Sequence, residues 1–231
     1  MMEIVVRWSS PLPAEERFLR LLDEAEQDRF AAYRQDADKR RFLTGRVLAK
    51  TVAAERLGLT PEAVKFDATC EDCGKPHGRP RVPGADLTLS ISHSGDLIGL
   101  AATPSVPVGL DVETANRRAD DGLIDYALSP AEAAHLAGLG PDDKAAAFFV
   151  YWTRKEAVMK ATGKGLRIPL QSITFSRYDE PARLVSSGDA ALDPARTRLA
   201  DLKAADGYRA AIAVLTTEEL SVTEEHWLPR L

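Results

Sequence analysis

The feature that most constrains the fold of this chain is a weak internal repeat. Residues 58–66 read GLTPEAVKF and residues 165–175 read GLRIPLQSITF, and each segment follows a long helical pattern. Both contain a Gly-Leu pair, a proline and a strand-like run, although the second needs a two-residue insertion to match. Coincidence is the alternative, because helix, glycine stop and strand is a common order. A duplication predicts a fold of two similar α+β lobes, with a ligand site in the cleft between them.

The lobes are predicted at residues 1–105 and 106–231. Apolar periods of two residues predict strands, and periods near 3.6 residues predict helices. The strands are predicted at residues 4–8, 64–66, 87–92, 97–102, 107–113, 172–175, 182–185, 208–215 and 220–222, and the helices at 14–34, 39–57 and 144–162. A further helix is predicted to begin at Ser129, which a proline and an acidic residue follow. Residues 70–83 are predicted to form a loop.

Composition and charge restrict the partners. A chain of 231 residues with 45% apolar and 28% charged residues can bury a core without disulfides. Its net charge of −5 lacks the positive field that non-specific nucleic-acid binding requires. The apolar run at residues 145–152 is too short to span a bilayer, and residues 1–16 lack the basic and apolar regions of an export signal. We therefore expect a cytoplasmic monomer with no nucleic-acid or membrane partner.

Two carboxylates share one face of the strand predicted at residues 107–113. In the run VGLDVE the apolar side chains alternate with Gly109, Asp111 and Glu113, so the two acids project from the same side. Like charges at this separation repel each other. The pair therefore indicates either a solvated rim strand or a bound cation.

A third carboxylate, Glu156, lies on the long C-terminal helix. Its helical stripe also carries three apolar side chains, Phe149, Trp152 and Met159. A carboxylate on a buried stripe needs a compensating charge or hydrogen bonds, and a plain i,i+4 ion pair with Lys160 leaves the apolar setting unexplained. Asp111, Glu113 and Glu156 together suit a hard divalent ion such as Mg²⁺, which completes its shell with water and phosphate.

Candidate anion-binding residues lie in three other segments. Ser92 and His93 stand where a strand ends and a turn begins, so their polar groups can point at an anion, although a structural histidine is the alternative. Arg79 and Arg81 are cations in a stiff, proline-flanked loop. The second helix carries a basic face, formed by Lys39, Arg40, Arg41 and Arg46. We assign Arg46 to ligand binding, although such a face is often simply solvated.

Three motifs carry a family resemblance. SISHS, GLDVE and WTRKEAVMKATGKGL occur in this order at residues 90–94, 109–113 and 152–166. They resemble the signature of the Sfp-type 4'-phosphopantetheinyl transferases, and GRPRVP at residues 78–83 resembles that family's Gly-Lys-Pro motif. The likeness extends roughly over residues 30–215, and the joint occurrence of the motifs is highly specific.

The resemblance implies a pseudo-dimer fold and an enzyme of the holo-[acyl-carrier-protein] synthase type. Such an enzyme transfers the 4'-phosphopantetheine arm of coenzyme A to a serine of an apo acyl or peptidyl carrier protein and releases 3',5'-ADP. The carriers of the family serve fatty-acid, polyketide or non-ribosomal peptide synthesis. By position in the motifs, the implied Mg²⁺ ligands are Asp111, Glu113 and Glu156.

The resemblance also implies roles for the remaining candidates. Together with the basic face, the expected coenzyme-binding residues are Arg46, Arg79, Arg81, Ser92, His93, Lys155 and Lys160. The expected catalytic residues are Glu156, Lys160 and Asp111, where Glu156 is the candidate general base on the carrier serine, directly or through water. Two alternatives stay open at this point: another Mg²⁺-dependent phosphotransferase or phosphohydrolase acting on coenzyme A or nucleotides, and a non-catalytic coenzyme A-binding module.

Two features depart from the family pattern. Arg79 stands where the family usually has a lysine. The dipeptide Lys75-Pro76 offers a second alignment of the Gly-Lys-Pro motif. We choose Arg79 because Gly78 precedes it and Val82-Pro83 follows it in the expected places. Three soft ligands, Cys70, Cys73 and His77, have the spacing of a zinc half-site without a fourth ligand nearby. A loop with two free thiols is the alternative.

Overall fold

The computed structural model describes residues 1–69, 74, 78–115 and 118–229. The strands found there are β1 (Met2–Ser9), β2 (Thr88–Ser94), β3 (Leu97–Thr103), β4 (Val108–Thr114), β5 (Ile173–Phe175), β6 (Leu184–Ser187), β7 (Arg198–Leu202), β8 (Tyr208–Val214) and β9 (Leu220–His226). The α-helices are α1 (Glu16–Leu19), α2 (Glu24–Ala32), α3 (Asp36–Leu57), α4 (Asp121–Ala127), α5 (Pro130–Leu136) and α6 (Pro141–Thr162). Short 3-10 turns lie at Pro61–Ala63, Gly165–Arg167, Leu170–Ser172 and Pro194–Arg196.

The two halves of the chain repeat one topology. In the N-terminal half β1 pairs antiparallel with β3, and β3 pairs antiparallel with β2. In the C-terminal half β4 pairs antiparallel with β8, and β8 pairs antiparallel with β7. In each half a long helix, α3 or α6, separates the first strand from the hairpin that joins it. The predicted α+β fold with two similar lobes is therefore confirmed.

The last strand crosses between the halves. β9 runs parallel to β1, from the pair Met2–Leu220 to the pair Trp8–His226, and forms the edge of the N-terminal sheet. A segment near the C-terminus therefore belongs to the first sheet. The lobe boundary between residues 105 and 106 stays a prediction.

Each half buries a lysine of its long helix against a capping-box glutamate. Lys50 Nζ lies 3.0 Å from Glu26 Oε2 and donates to the Val64 carbonyl at 2.8 Å. Lys155 Nζ lies 2.8 Å from Glu132 Oε2 and donates to two backbone carbonyls in the equivalent connection. Both glutamates stand at the third position of a short helix and bind its N-cap. The same device at equivalent places supports the duplication.

The first strand of the C-terminal half packs on both faces. Its apolar side chains join β1 and β8 in one buried cluster. Its other face meets α6 at Gly109, where an added Cβ atom would lie 1.9 Å from the carbonyl oxygen of Ala157 and 2.5 Å from the nitrogen of Ala161. A glycine is therefore required for α6 to approach β4 this closely. The close approach brings the acids of β4 next to α6.

Most predicted elements are confirmed, with boundaries that shift by a few residues. The helix predicted at 14–34 is wrong as a single element, because Asp23 caps a new helix with its side chain and separates α1 from α2. The strand predicted at 64–66 is also wrong, since only the isolated bridge between Asp67 and Arg81 forms nearby. The helix start at Ser129 is confirmed by its capping box. Among the described residues, no helix is long and apolar enough to cross a membrane.

Candidate active site

The edges of β2 and β4 meet along a row of serine hydroxyls, which we call the hydroxyl seam. The hydroxyls accept hydrogen bonds from alternate backbone N–H groups of β4: Ser90 from Leu110 at 2.8 Å, Ser92 from Val112 at 3.3 Å and Ser94 from Thr114 at 3.1 Å. The alternation of serine along β2 makes this possible, because residues two apart share a face of a strand. The seam joins the two lobes through side chains.

Two hydroxyls of the seam also hold the acids of β4. Ser92 Oγ donates to Asp111 Oδ1, and Ser94 Oγ donates to Glu113 Oε2, both at 2.9 Å. An ionised carboxylate only accepts hydrogen bonds, so each serine hydroxyl must point its proton at the carboxylate oxygen. The prediction that both acids project from one face of this strand is confirmed, and the serines orient them.

Helix α6 supplies the cation of the site. Lys160 Nζ donates to Asp111 Oδ1 at 2.6 Å and to Ser92 Oγ at 2.9 Å. The lysine is half-buried and Asp111 is almost fully buried. Strand, seam and helix therefore meet at these three side chains, as predicted from three separate motifs.

The position of Glu156 on α6 differs from the prediction. Glu156 is half-buried and shares a half-buried stripe with Trp152 and Lys160, whereas Phe149 and Met159 are buried in the C-terminal core. The expectation that it lies on a buried apolar stripe is therefore wrong in part. The end of this stripe lies beside the acids of β4, because Lys160 contacts Asp111 there.

The surroundings of Glu156 favour its neutral form. Burial raises its pKa most, and the negative charges of Asp111 and Glu113 raise it further, while Lys160 acts in the opposite direction. The three carboxylates thus lie within electrostatic reach of one another. A carboxylate with a raised pKa is a better proton acceptor once it is ionised.

The same three carboxylates are the candidate ligands of a divalent ion. In the described ranges of the chain, no group of three or more His, Cys, Asp or Glu side chains stands ready to hold a metal ion. However, Asp111 Oδ2 is buried and makes no hydrogen bond with the described part of the protein. An orphaned carboxylate oxygen among mutually repelling acids fits a hard cation, which prefers oxygen ligands. The donor set therefore suits Mg²⁺ chemically.

His93 stands near the end of β2 and is exposed to solvent. Partial desolvation and the positive charges of Lys160 and Arg41 lower its pKa. Arg41 itself donates from Nε to the carbonyl of Gly95 at 2.6 Å and from Nη1 to Asp38 at 2.8 Å. The sequence predicts Arg41 only as part of a basic face, with solvation as the alternative, and does not predict its contact with the turn after β2. The two residues are 54 positions apart in the sequence. The only local signal for this contact is the run of basic residues that contains Arg41.

Arg79 clamps the other end of the seam. Its guanidinium donates to the carbonyls of Leu89 at 2.8 Å, Val108 at 2.6 Å and Lys160 at 3.4 Å, and so binds β2, β4 and α6 together. Burial, and to a lesser degree the charge of Arg81, lowers its pKa to about 10. Arg81 pairs through its backbone with Asp67. Both arginines line a cavity of about 930 Å³ that extends to the C-terminal end of α6.

The structure does not bring Arg46 and Lys155 to the acid cluster. Arg46 is buried beside the rings of Phe42 and Phe66, with Nε 3.5 Å from Glu26 Oε1. Lys155 has no exposed surface, because its ammonium is enclosed with Glu132 as described above. Each of these cations is therefore paired with a buried glutamate of its own half, and their assignment to coenzyme binding stays a prediction. The zinc candidates Cys70, Cys73 and His77, and the alternative lysine at 75, lie outside the described residues.

Comparison with known proteins gives two matching sequence families. A family described as the 4'-phosphopantetheinyl transferase superfamily matches residues 107–213. A second family, described as 4'-phosphopantetheinyl transferase, N-terminal, matches residues 6–105. The first match contains the acids of β4 together with α6, and the second contains the hydroxyl seam.

Individual relatives agree with the families. A 4'-phosphopantetheinyl transferase of Bacillus subtilis is 33% identical and covers 74% of this chain and 74% of its own length. The 4'-phosphopantetheinyl transferase HetI of Nostoc sp. is 35% identical over 63% of this chain and 61% of its own length. The 4'-phosphopantetheinyl transferase Sfp of Bacillus subtilis (strain 168) is 28% identical over 74% of each chain. The chain therefore belongs to the 4'-phosphopantetheinyl transferase superfamily and is an enzyme of that class.

Proposed function

We propose that the chain transfers the 4'-phosphopantetheine arm of coenzyme A to a serine of an apo acyl or peptidyl carrier protein, with Mg²⁺ as cofactor. The observation that carries the proposal is the contact of Lys160 with Asp111 at the hydroxyl seam, beside the half-buried Glu156. A cation, an oriented acid and a candidate base at one place are what phosphoryl transfer requires. The expected cytoplasmic location and monomeric state stay predictions.

Glu156 is the proposed general base. In the reaction the serine oxygen bonds to the β-phosphorus of coenzyme A, the P–O bond to 3',5'-ADP breaks, and the serine proton passes to Glu156, directly or through water. The place of Glu156 on α6, one helical turn before Lys160 and within electrostatic reach of Asp111, supports this role. Its half-buried position leaves a path for a substrate hydroxyl.

Lys160 is the proposed partner of the negative charge that develops on the phosphoryl oxygens. The Lys160 side chain is 32% exposed, so its ammonium can donate to a phosphoryl oxygen while Asp111 and Ser92 keep the side chain in place. When bound by Asp111, Glu113 and Glu156, Mg²⁺ would supply further neutralisation of the pyrophosphate charge. The orphaned Asp111 Oδ2 supports this ligand set.

The cavity of about 930 Å³ is the proposed coenzyme site. Its size lies in the range of roughly 300–1,000 Å³ that is usual for small-molecule sites. Among the described residues, its lining contains four cations (Arg79, Arg81, Lys164 and Arg167) and two aspartates, Asp67 and Asp189, and Lys164 is paired with Asp189 at 2.7 Å. Coenzyme A carries three phosphate groups, so the excess of cations in this lining favours it.

The test is a transfer assay that separates the candidate activities. Purified protein, coenzyme A, Mg²⁺ and an apo carrier protein are incubated, and the carrier is weighed by mass spectrometry. We expect a mass gain of one phosphopantetheine arm, with an equal amount of 3',5'-ADP, and no gain when EDTA is present. No gain with several carriers would contradict the proposal. Breakdown of coenzyme A without a carrier would indicate a phosphohydrolase, and binding without turnover would indicate a binding module.

The substitution Glu156→Gln tests the proposed base. The amide cannot accept the serine proton, so we expect the transfer rate to fall by roughly 100-fold or more while coenzyme A binding stays largely intact. A matched control is Glu55→Gln on α3, where the glutamate forms an ion pair with Arg7 at 2.6 Å outside the acid cluster. Transfer retained by Glu156→Gln would remove this residue as the base.

A further inference from the structure

The two sheets that meet at the candidate active site are joined there through side chains. β2 is the edge of the four-stranded sheet, and β4 is the edge of the three-stranded sheet. The site spans this joint, because Lys160 of α6 binds Ser92 of β2 and Asp111 of β4. Whatever holds β2, β4 and α6 together therefore also determines how these three side chains meet.

Arg79 is bonded to the backbone of the same three elements. Its Nε donates to the Leu89 carbonyl of β2 at 2.8 Å, and its Nη2 donates to the Val108 carbonyl of β4 at 2.6 Å. Its Nη1 donates to the carbonyl of Lys160 at 3.4 Å, in the last turn of α6, where carbonyls lack helical partners. All three nitrogens of the guanidinium are therefore engaged within the protein.

We propose that Arg79 is a positioning residue that fixes the contact between Lys160 and Asp111, in place of the coenzyme contact that its motif predicts. The inference rests on the proposed function. On β2 and on β4 the clamped carbonyl lies three residues before the side chain that binds Lys160, about 10 Å along the strand. A shift of about 1 Å between reacting groups can cost roughly 100-fold in rate, so a loosened clamp at this distance should slow transfer.

The shape of the guanidinium suits this role better than its charge alone. The guanidinium presents separate donors in one rigid plane, whereas a lysine ammonium is a single donor atom. An arginine that turned toward a phosphate would give up its bonds to these carbonyls. The substitution Arg79→Lys introduces the residue that the family usually has, keeps the charge and removes the fork.

The first experiment compares Arg79→Lys with Arg7→Lys, a matched control on β1 whose guanidinium pairs with Glu55 at 2.6 Å. Transfer to the carrier protein is measured at varied coenzyme A concentrations, below the Tm of each variant. We expect Arg79→Lys to lower kcat by roughly 10–100-fold and to change KM for coenzyme A by less than about threefold. Arg7→Lys should keep both constants. Wild-type kcat in Arg79→Lys, with or without a raised KM, overturns the inference.

A double variant tests whether Arg79 acts through Lys160. Lys160→Met removes the ammonium that Arg79 is proposed to position, so the clamp then has little left to align. We expect Arg79→Lys to slow the Lys160→Met protein by less than about threefold in single-turnover transfer, because residues that act together are not additive. Two losses that multiply overturn the inference, since an independent phosphate ligand or a general loss of packing would act on either background.

A measurement on the wild-type protein does not depend on how the variants fold. The Nε–H proton of Arg79 is assigned by NMR through its bonded carbons and followed as coenzyme A is added in EDTA. We expect slow exchange with water in the free protein and little change of frequency with coenzyme A. Fast exchange, or a strong downfield shift, overturns the inference, because the guanidinium would then bind phosphate. This test needs no carrier protein, so it remains decisive if the transfer assay contradicts the proposed function.

Discussion

Replacement of Lys155 by methionine distinguishes a structural lysine from a coenzyme contact. The motif places Lys155 beside Glu156, and the family resemblance assigns it to the coenzyme. In the structure its ammonium lies 2.8 Å from Glu132 Oε2, with both side chains 0% exposed, and it donates to the carbonyls of Leu170 and Ile173. Methionine has a similar length and removes only the charge and the donors.

The expected loss of stability follows from these contacts. Removal of one member of a buried ion pair usually destabilises a protein by about 3–5 kcal/mol, because the other charge is left without compensation. Here Glu132 keeps its bonds to the backbone N–H groups of Ser129 and Phe175 but loses its cation. For a protein of this size, about 1 kcal/mol changes the Tm by about 2–4 °C, so we expect Tm to fall by roughly 6–20 °C.

Thermal unfolding and coenzyme A binding by calorimetry, measured below the Tm of each variant, check this prediction. The matched control is Lys144→Met on the same helix, whose ion pair with Asp121 is largely exposed to solvent and therefore contributes little to stability. The double substitution Lys155→Met with Glu132→Gln should recover part of the stability, since no charge is then buried alone. A Lys155→Met protein with wild-type Tm and weakened coenzyme A binding would refute the reasoning.

Two further predictions concern the cleft. Gly109→Ala is expected to lower the free energy of unfolding by about 1–3 kcal/mol or more and to slow transfer. The cause is that the new Cβ would lie 1.9 Å from the Ala157 carbonyl oxygen and displace α6. Wild-type stability of this variant in denaturant unfolding would contradict the prediction. His93, titrated by NMR in the free protein, should have a pKa below its ordinary value of 6.5 and a higher one after coenzyme A is added. Because the pKa of His93 is lowered in the folded state, its contribution to stability is present above pH 6.5 and is lost as the pH falls through the folded-state pKa. The protein with His93→Gln should therefore lose less stability in acid than the wild type does. A free-protein value at or above 6.5 would contradict the argument.

Features of the fold that depend on local periodicity could be predicted from the sequence. The alternation along β4 correctly placed Asp111 and Glu113 on one face, and apolar spacing found both long helices. The break at Asp23 was missed, although the pattern of an aspartate followed three residues later by Glu26 is a capping signal. The strand predicted at residues 64–66 failed because strand formation needs a partner, which local sequence does not reveal.

The candidate site could be predicted only in part, because burial of charge depends on distant partners. Arg154 is fully buried since its guanidinium binds Asp201, 47 positions away, and backbone carbonyls of the loop after β5. A pattern based on hydrophobicity treats such a residue as exposed. For the same reason, the buried ion pair of Lys155 with Glu132 and the clamp formed by Arg79 were not predicted from the sequence. Motif order identified the family, whereas the contacts distinguish the residues that support the site from those that face its cleft.

The duplicated fold also explains why the acids lie beside β4. In each half the first strand has an outer edge whose backbone groups need partners. The edge of β1 is satisfied by a complete parallel ladder with β9, which uses backbone groups alone. The edge of β4 is satisfied by serine hydroxyls, and a hydroxyl accepts from the strand while it donates to a neighbouring carboxylate. A side-chain seam can therefore close a strand edge and orient two acids at once, which a backbone ladder cannot do.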